Sequence, residues 1–118
     1  MPVVDDVSRL HHILEAADKA LEFTKGKRRS DLDKDEMLSL ALVRLLEIIG
    51  EASGGISEGL RSKYPEIAWR QMSAMRNRLI HGYFDVNQDT VWETVVRELP
   101  PLIAQLQKVL DKETASRP

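Results

Sequence analysis

The sequence predicts an all-α fold, an antiparallel bundle of four to five helices with a kinked last helix. Three observations carry that prediction. Apolar residues recur at steps of three and four along nearly the whole chain, the spacing that gathers them on one helix face. Few stretches show the strict alternation that a strand requires. At 118 residues, 42% apolar and 31% charged, the chain is sized for one hydrophobic core and too short for a second. A single domain is expected over 1–112, followed by a polar tail at 113–118.

The elements follow in order. Val7, Leu10, Leu14, Ala17 and Leu21 fall on one stripe of a first helix, 6–24. Lys25-Gly26-Lys27-Arg28-Arg29-Ser30 breaks the pattern with four positive charges, either as a solvated loop or as a contact for a polyanion. A second helix, 34–53, is capped by Asp33 or Asp35 and is apolar around most of its circumference, from Met37 and Leu38 to Ile49 and Ala52. Such a helix belongs at the centre, covered on several sides. Gly54-Gly55 ends it, because paired glycines favour left-handed or extended backbone. A short helix at 56–63 is closed by Pro65. The next, 67–81, has Ile67, Met72, Met75 and Leu79 inside and Gly82 at the C-terminal cap position. Asn87 or Asp89 caps a last helix, 90–112, where Pro100-Pro101 removes two backbone donors and predicts the kink.

Composition excludes several functions. With no cysteine there is no disulfide framework, thiol nucleophile or thiolate zinc site. A formal charge of −2 argues against a uniformly basic nucleic-acid binder while leaving local patches open. No apolar run reaches the ~18 residues that span a bilayer, and Met1-Pro2-Val3-Val4-Asp5-Asp6 lacks a secretory layout. A cytoplasmic protein without membrane contact is the expectation. His11-His12 with Glu15 makes a poor metal site, and Ser53-Gly54-Gly55 lacks the length and lysine of a phosphate loop.

The densest polar segment is Met75-Arg76-Asn77-Arg78-Leu79-Ile80-His81-Gly82-Tyr83-Phe84. On one continuous helix Asn77 and His81 share a face, while Arg76 stands roughly 140° around and ~7.5 Å along the axis from His81, placed to line the same cleft. A guanidinium holds phosphate oxygens and stabilises charge developing on phosphorus. An imidazole exchanges protons near neutrality. Together they suit phosphate chemistry without a metal, and an RNA 2′-hydroxyl would supply the nucleophile. A solvated polar face with a helix-terminal histidine explains the same spacing.

From Arg61 to His81 five cations (Arg61, Lys63, Arg70, Arg76, Arg78) face one acid, Glu66, a local patch that an RNA backbone or plain solvent would suit. Tyr64 and Trp69 within it either stack on bases or pack in the core. Arg44, Glu47 and Glu51 form a polar ridge on the second helix; structural pairing with Arg76 or His81, orientation of those groups, and a weak metal site all fit.

Arg76-Asn77-Arg78-Leu79-Ile80-His81-Gly82-Tyr83 resembles the R-x4-H-x-Y motif of HepT-like proteins, a branch of the HEPN superfamily. The resemblance extends over about 5–110: Ile49-Gly50-Glu51-Ala52, Tyr64-Pro65-Glu66-Ile67 before Trp69, Phe84 before an Asp/Val/Asn turn, Val91-Trp92 and Leu99-Pro100 follow in the family's order. It implies a metal-independent endoribonuclease, the toxin of a toxin–antitoxin pair, acting as a homodimer with no cofactor of its own. Arg76 would then hold phosphate, His81 would move protons, and Asn77, Glu47 and Glu51 would assist. Arg70 and Arg78 would contact RNA. The implied antitoxin is a minimal nucleotidyltransferase resembling MntA, which would transfer AMP from ATP to Tyr83. The alternative is a non-catalytic HEPN dimer that binds such a partner or RNA.

Overall fold

The computed structural model describes residues 5–81 and 85–115. Three long helices dominate: α1 (Asp6–Thr24), α3 (Glu36–Gly54) and α8 (Leu99–Ala115), with α2 (Asp31–Lys34) a single turn between the first two. Shorter pieces fill the interval: α4 (Glu58–Lys63), α5 (Trp69–Ser73), α6 (Met75–Leu79), a two-residue hairpin of β1 (Ile80–His81) and β2 (Asp85–Val86), and α7 (Gln88–Glu93). The all-α expectation holds.

Two helix starts are capped as predicted, by Asp35 and Asn87, and two more by the same chemistry at Asp5 and Ser57, which the sequence reading did not single out. Asp5 accepts from the Ser8 N–H (2.7 Å), Asp35 from Leu38 (3.0 Å), Ser57 from Leu60 (3.2 Å) and Asn87 from Thr90 (3.1 Å). Each satisfies one of the donors that a helix N-terminus leaves open. Asp6 of α1 also accepts from the N–H and hydroxyl of Ser57, so the start of α1 lies beside the end of α3 and the two run antiparallel.

α1 packs on α3 along one side and on α8 along another, and α3 carries α5 and α6 on its far flank. Leu10 and Ile13, Leu42, Leu46 and Ile49, Leu79, Leu99 and Leu106 are fully buried where these helices meet. Each such side chain contributes about 1.5–3 kcal/mol over an exposed one.

Four expectations need correction. The predicted helix 67–81 is broken: Ala74, at φ −87° and ψ 6°, separates α5 from α6, and Ile80 turns extended at φ −123°, ψ 124°. Ile80 is β-branched and pairs with Val86, while His81 pairs with Asp85. The Leu79 carbonyl accepts from the Asn87 N–H (2.7 Å), so leaving the helix strands no polar group there. His81 is therefore a strand residue and does not stack over Asn77 on a helix; Gly82, its supposed cap, lies outside the described residues.

α3 does end at Gly54–Gly55, but Gly55 keeps an ordinary φ of −90°. Arg61 donates to the Ser53 and Gly54 carbonyls (3.1 and 2.9 Å), satisfying acceptors that a left-handed cap otherwise serves. α3 is also less enclosed than its composition suggests, for Met37 is 81% and Leu40 58% exposed. Finally, the tail begins later than 113: Glu113 is helical and accepts from the Tyr64 hydroxyl (2.7 Å) and Lys63 (2.8 Å).

The interruption predicted in the last helix is a π turn, Thr94–Glu98, just ahead of Pro100-Pro101. The Leu99 N–H reaches five residues back to the Thr94 carbonyl, and the helical course continues from 88 to 115. Two successive residues without N–H donors break the i→i−4 ladder, and the wider turn takes up the slack.

Candidate active site

α6 is held against α3 by Met75 and Leu79, both buried. The approach is close because Gly50 has no side chain: a Cβ there would stand 3.3 Å from the Met72 carbonyl oxygen. One turn earlier on α3 stands Glu47, and its carboxylate lies 3.4 Å from Arg76 Nε. Glu47 is largely covered, at 22% side-chain exposure, whereas Arg76 is 54% exposed. Among the described residues the Arg76 guanidinium has no other partner, so its terminal nitrogens remain available to an anion in solvent.

The structure therefore unites two predicted residues, Arg76 and Glu47, and separates others. Arg44 and Glu51 pair with each other at 3.6 Å on the exposed face of α3, at 60% and 68% exposure, so the ridge is a surface feature and only Glu47 reaches the site. Arg78, two residues from Arg76, points to the opposite side of α6. There it forms a forked contact with Glu98 (3.2 and 2.9 Å), and this hydrogen bonding raises its pKa above the ordinary arginine value. A groove of about 280 Å³ lies on that side, between Gln71, Met72, Met75, Arg78 and Leu102. Arg70 and Asn77 are exposed and make no side-chain hydrogen bond or ion pair among the described residues. His81 enters the site by its backbone, at the head of the hairpin directly after α6. Tyr83 lies outside the described residues.

The basic stretch from Arg61 to His81 proves to be several separate contacts. Arg61 caps α3, Lys63 pairs with Glu113, Arg76 with Glu47 and Arg78 with Glu98. Tyr64 and Trp69 are core residues, each 6% exposed, and the Trp69 indole N–H donates to the Tyr64 carbonyl (3.0 Å). Sequence reasoning missed Glu98 as the partner of Arg78 and Asp85 as the residue opposite His81. Glu98 carries no local signal because it lies twenty residues from Arg78 in a different helix, and Asp85 carries none because strands of two residues are too short to show alternation. Among the described residues no three His, Cys, Asp or Glu side chains gather as a metal-holding group, and no helix is long and apolar enough to cross a membrane.

A family model described as Ribonuclease HepT-like matches residues 13–109. A protein of Caldanaerobacter subterraneus subsp. tengcongensis, named provisionally as an RNase, is 41% identical over 88% of this chain and 93% of its own length. One of Methanocaldococcus jannaschii, named in the same way, is 38% identical over 93% of this chain and 91% of its own. The "Probable ribonuclease HepT" of Thermococcus cleftensis is 40% identical over 85% of this chain and 91% of its own. No solved structure gives a significant match. With the Arg76-to-Tyr83 motif in place and the match running over most of its length, the chain belongs to the HepT-like ribonuclease family.

Proposed function

We propose that this protein is a metal-independent endoribonuclease, the toxin half of a cytoplasmic toxin–antitoxin pair. The observation that carries the reading is Arg76, steered by Glu47 yet half exposed, immediately ahead of the hairpin that begins with Ile80 and His81. Arg76 binds the scissile phosphate and stabilises the charge that builds on it. His81 takes the proton of the neighbouring ribose 2′-hydroxyl; the O2′–P bond forms and the P–O5′ bond breaks. The departing oxygen collects a proton, leaving a 2′,3′-cyclic phosphate and a 5′-hydroxyl. Asn77 assists at the same end of α6, and Arg70 and Arg78 hold RNA further out.

The active unit is a homodimer. The exposed side chains of Met37, Leu40, Arg44 and Glu51 recur at steps of three, four and seven along one face of α3, beside the Arg76–Glu47 pair. A second copy on that face brings two Arg76/His81 sets to one cleft and covers the apolar side chains. The antitoxin is a nucleotidyltransferase that joins the Tyr83 hydroxyl to the α-phosphorus of ATP, releasing pyrophosphate. The added AMP places bulk and negative charge two residues from His81, where it competes with RNA for Arg76.

One assay tests this. End-labelled RNA is incubated in EDTA with wild type, His81→Ala and Tyr83→Phe, each with and without prior treatment by the partner enzyme and ATP. Cutting by wild type with cyclic-phosphate ends, its loss in the folded His81→Ala dimer, and persistence of Tyr83→Phe activity after treatment are the expected results. No cutting by unmodified wild type would favour the non-catalytic dimer, and AMP on Tyr83→Phe would overturn the modification site.

A further inference from the structure

The basic turn after α1 has no part in the chemistry above, yet the fold places it deliberately. Gly26, at φ +76°, makes the bend that other residues adopt at a cost. The Lys27 N–H donates to the Thr24 carbonyl (2.9 Å) and the Arg28 N–H to Asp31 (2.7 Å), so both sides of the turn are fixed. Arg29 bridges Asp33 (3.1 Å) and Asp89 (2.6 Å), the second sixty residues away in the first turn of α7. The nearby acids are thereby committed: Asp33 and Asp89 to Arg29, Asp31 to the turn and Asp35 to the cap of α3. Lys25, Lys27, Arg28 and Lys34 are exposed and pair with no carboxylate among the described residues, against Glu22 and Glu36 in the same condition.

The position matters as much as the charge. Along one flank of α3, Gly50 meets Met72, Glu47 meets Arg76, and the Ser39 hydroxyl accepts from Gln88 of α7 (2.6 Å). Just beyond the start of α3 comes the Arg29–Asp89 pair. Glu47 and Ser39 are ~12 Å apart along the helix. Asp89 is at most ~14 Å of chain from Asp85, the residue opposite His81. The contacts thus order Arg76, α7 and the basic turn along α3, with the His81 hairpin joined to both α6 and α7.

We propose that the turn at 25–29 is a second contact for the RNA backbone, gripping phosphates several nucleotides from the scissile one. The inference rests on the ribonuclease reading: a strand longer than a few nucleotides that leaves Arg76 past the hairpin meets Lys25, Lys27 and Arg28 next. Flexible ammonium groups on an exposed turn neutralise phosphates without reading bases, so the grip is independent of sequence and sensitive to salt.

The test uses the full chain carrying His81→Ala, so that RNA stays intact, and compares it with the same chain also carrying Lys25→Ser, Lys27→Ser and Arg28→Ser. Affinity for a labelled single-stranded RNA long enough to span both contacts is followed over a salt series. At ~0.7 per contacted phosphate, the slope of log affinity against log salt is expected to become shallower by about 2. In the chain with His81 restored, the triple variant raises KM for that RNA and leaves dinucleotide cleavage unchanged, which also certifies its fold. RNA binding with an unaltered slope would overturn the inference and point the turn toward an acidic protein. Absence of RNA binding by the His81→Ala parent would overturn the ribonuclease reading itself, and this inference with it.

Discussion

Gly50 determines how near Arg76 comes to Glu47. Any Cβ there meets the backbone carbonyl of Met72, which cannot swing aside as a side chain would. Gly50→Val is expected to destabilise the fold by about 1–3 kcal/mol through overpacking, read as a lower urea midpoint at constant slope, and to loosen the Arg76–Glu47 pair. At Gly55 the obstacle is only the Arg9 guanidinium, so Gly55→Ala should cost far less; equal losses at both positions would refute the close-approach argument. This scale shows what was readable beforehand. Arg76 and its acidic partner stood out as residue types at telling positions. Which acid of the ridge would serve was hidden, because that depends on where α6 lands on α3. Glu47 and Glu51 look alike along the chain, yet only one faces Arg76.

At the scale of elements, the legible features were those fixed by local chemistry: apolar stripes, Asp35 and Asn87 as caps, and proline interference in the last helix. The break of 67–81 into two short helices and a hairpin was not legible. Ile80-His81 and Asp85-Val86 are too short to reveal alternation, and their pairing is set by contact across the turn. The attachment of α8 to Tyr64 was missed for a similar reason, since Glu113 reads as part of a polar end. That attachment has a pH signature. The hydrogen bond to Glu113 raises the Tyr64 phenol above its ordinary value near ~10, burial adding to it, and the same carboxylate raises Lys63. A folded-state pKa above the unfolded one means the contribution is complete below ~10 and is lost as pH rises through the folded value. Wild type should therefore lose stability between pH ~9 and ~11.5 more steeply than Tyr64→Phe. Urea midpoints at the two pH values measure this, and parallel losses would exclude the latch.

At the scale of the whole molecule, one architecture follows from packing three long amphipathic helices, and the exposed Met37 and Leu40 of α3 are where the proposed dimer is tested. Met37 was counted among the apolar positions that would make this helix central and covered on several sides, and Leu40 was not singled out. Spacing reports a face and leaves open whether the same chain or another covers it. Replacing both by glutamate should leave the fold intact, since neither is buried in the protomer. Sedimentation is expected to show a dimer for wild type and a monomer for the double variant, with RNA cleavage lost in parallel. A double variant that remains dimeric would move the interface elsewhere.

The π turn at 94–98 gives the C-terminal third of the chain a fixed phase. Val91 ahead of it and Thr94 and Val95 at its opening form one set, Leu99, Leu106 and Leu110 beyond it form another, and both sets are buried. At roughly 100° per residue, an unbroken α-helix would carry the second set well around the axis from the first. The extra residue taken up in the wide turn brings the two back into alignment beside α1. The register of 88–115 is therefore counted in whole residues. Shortening the turn by one would rotate α8 like a key in its lock, carrying Leu106 and Leu110 toward solvent and Glu113 away from Tyr64, with every side chain of the helix still present.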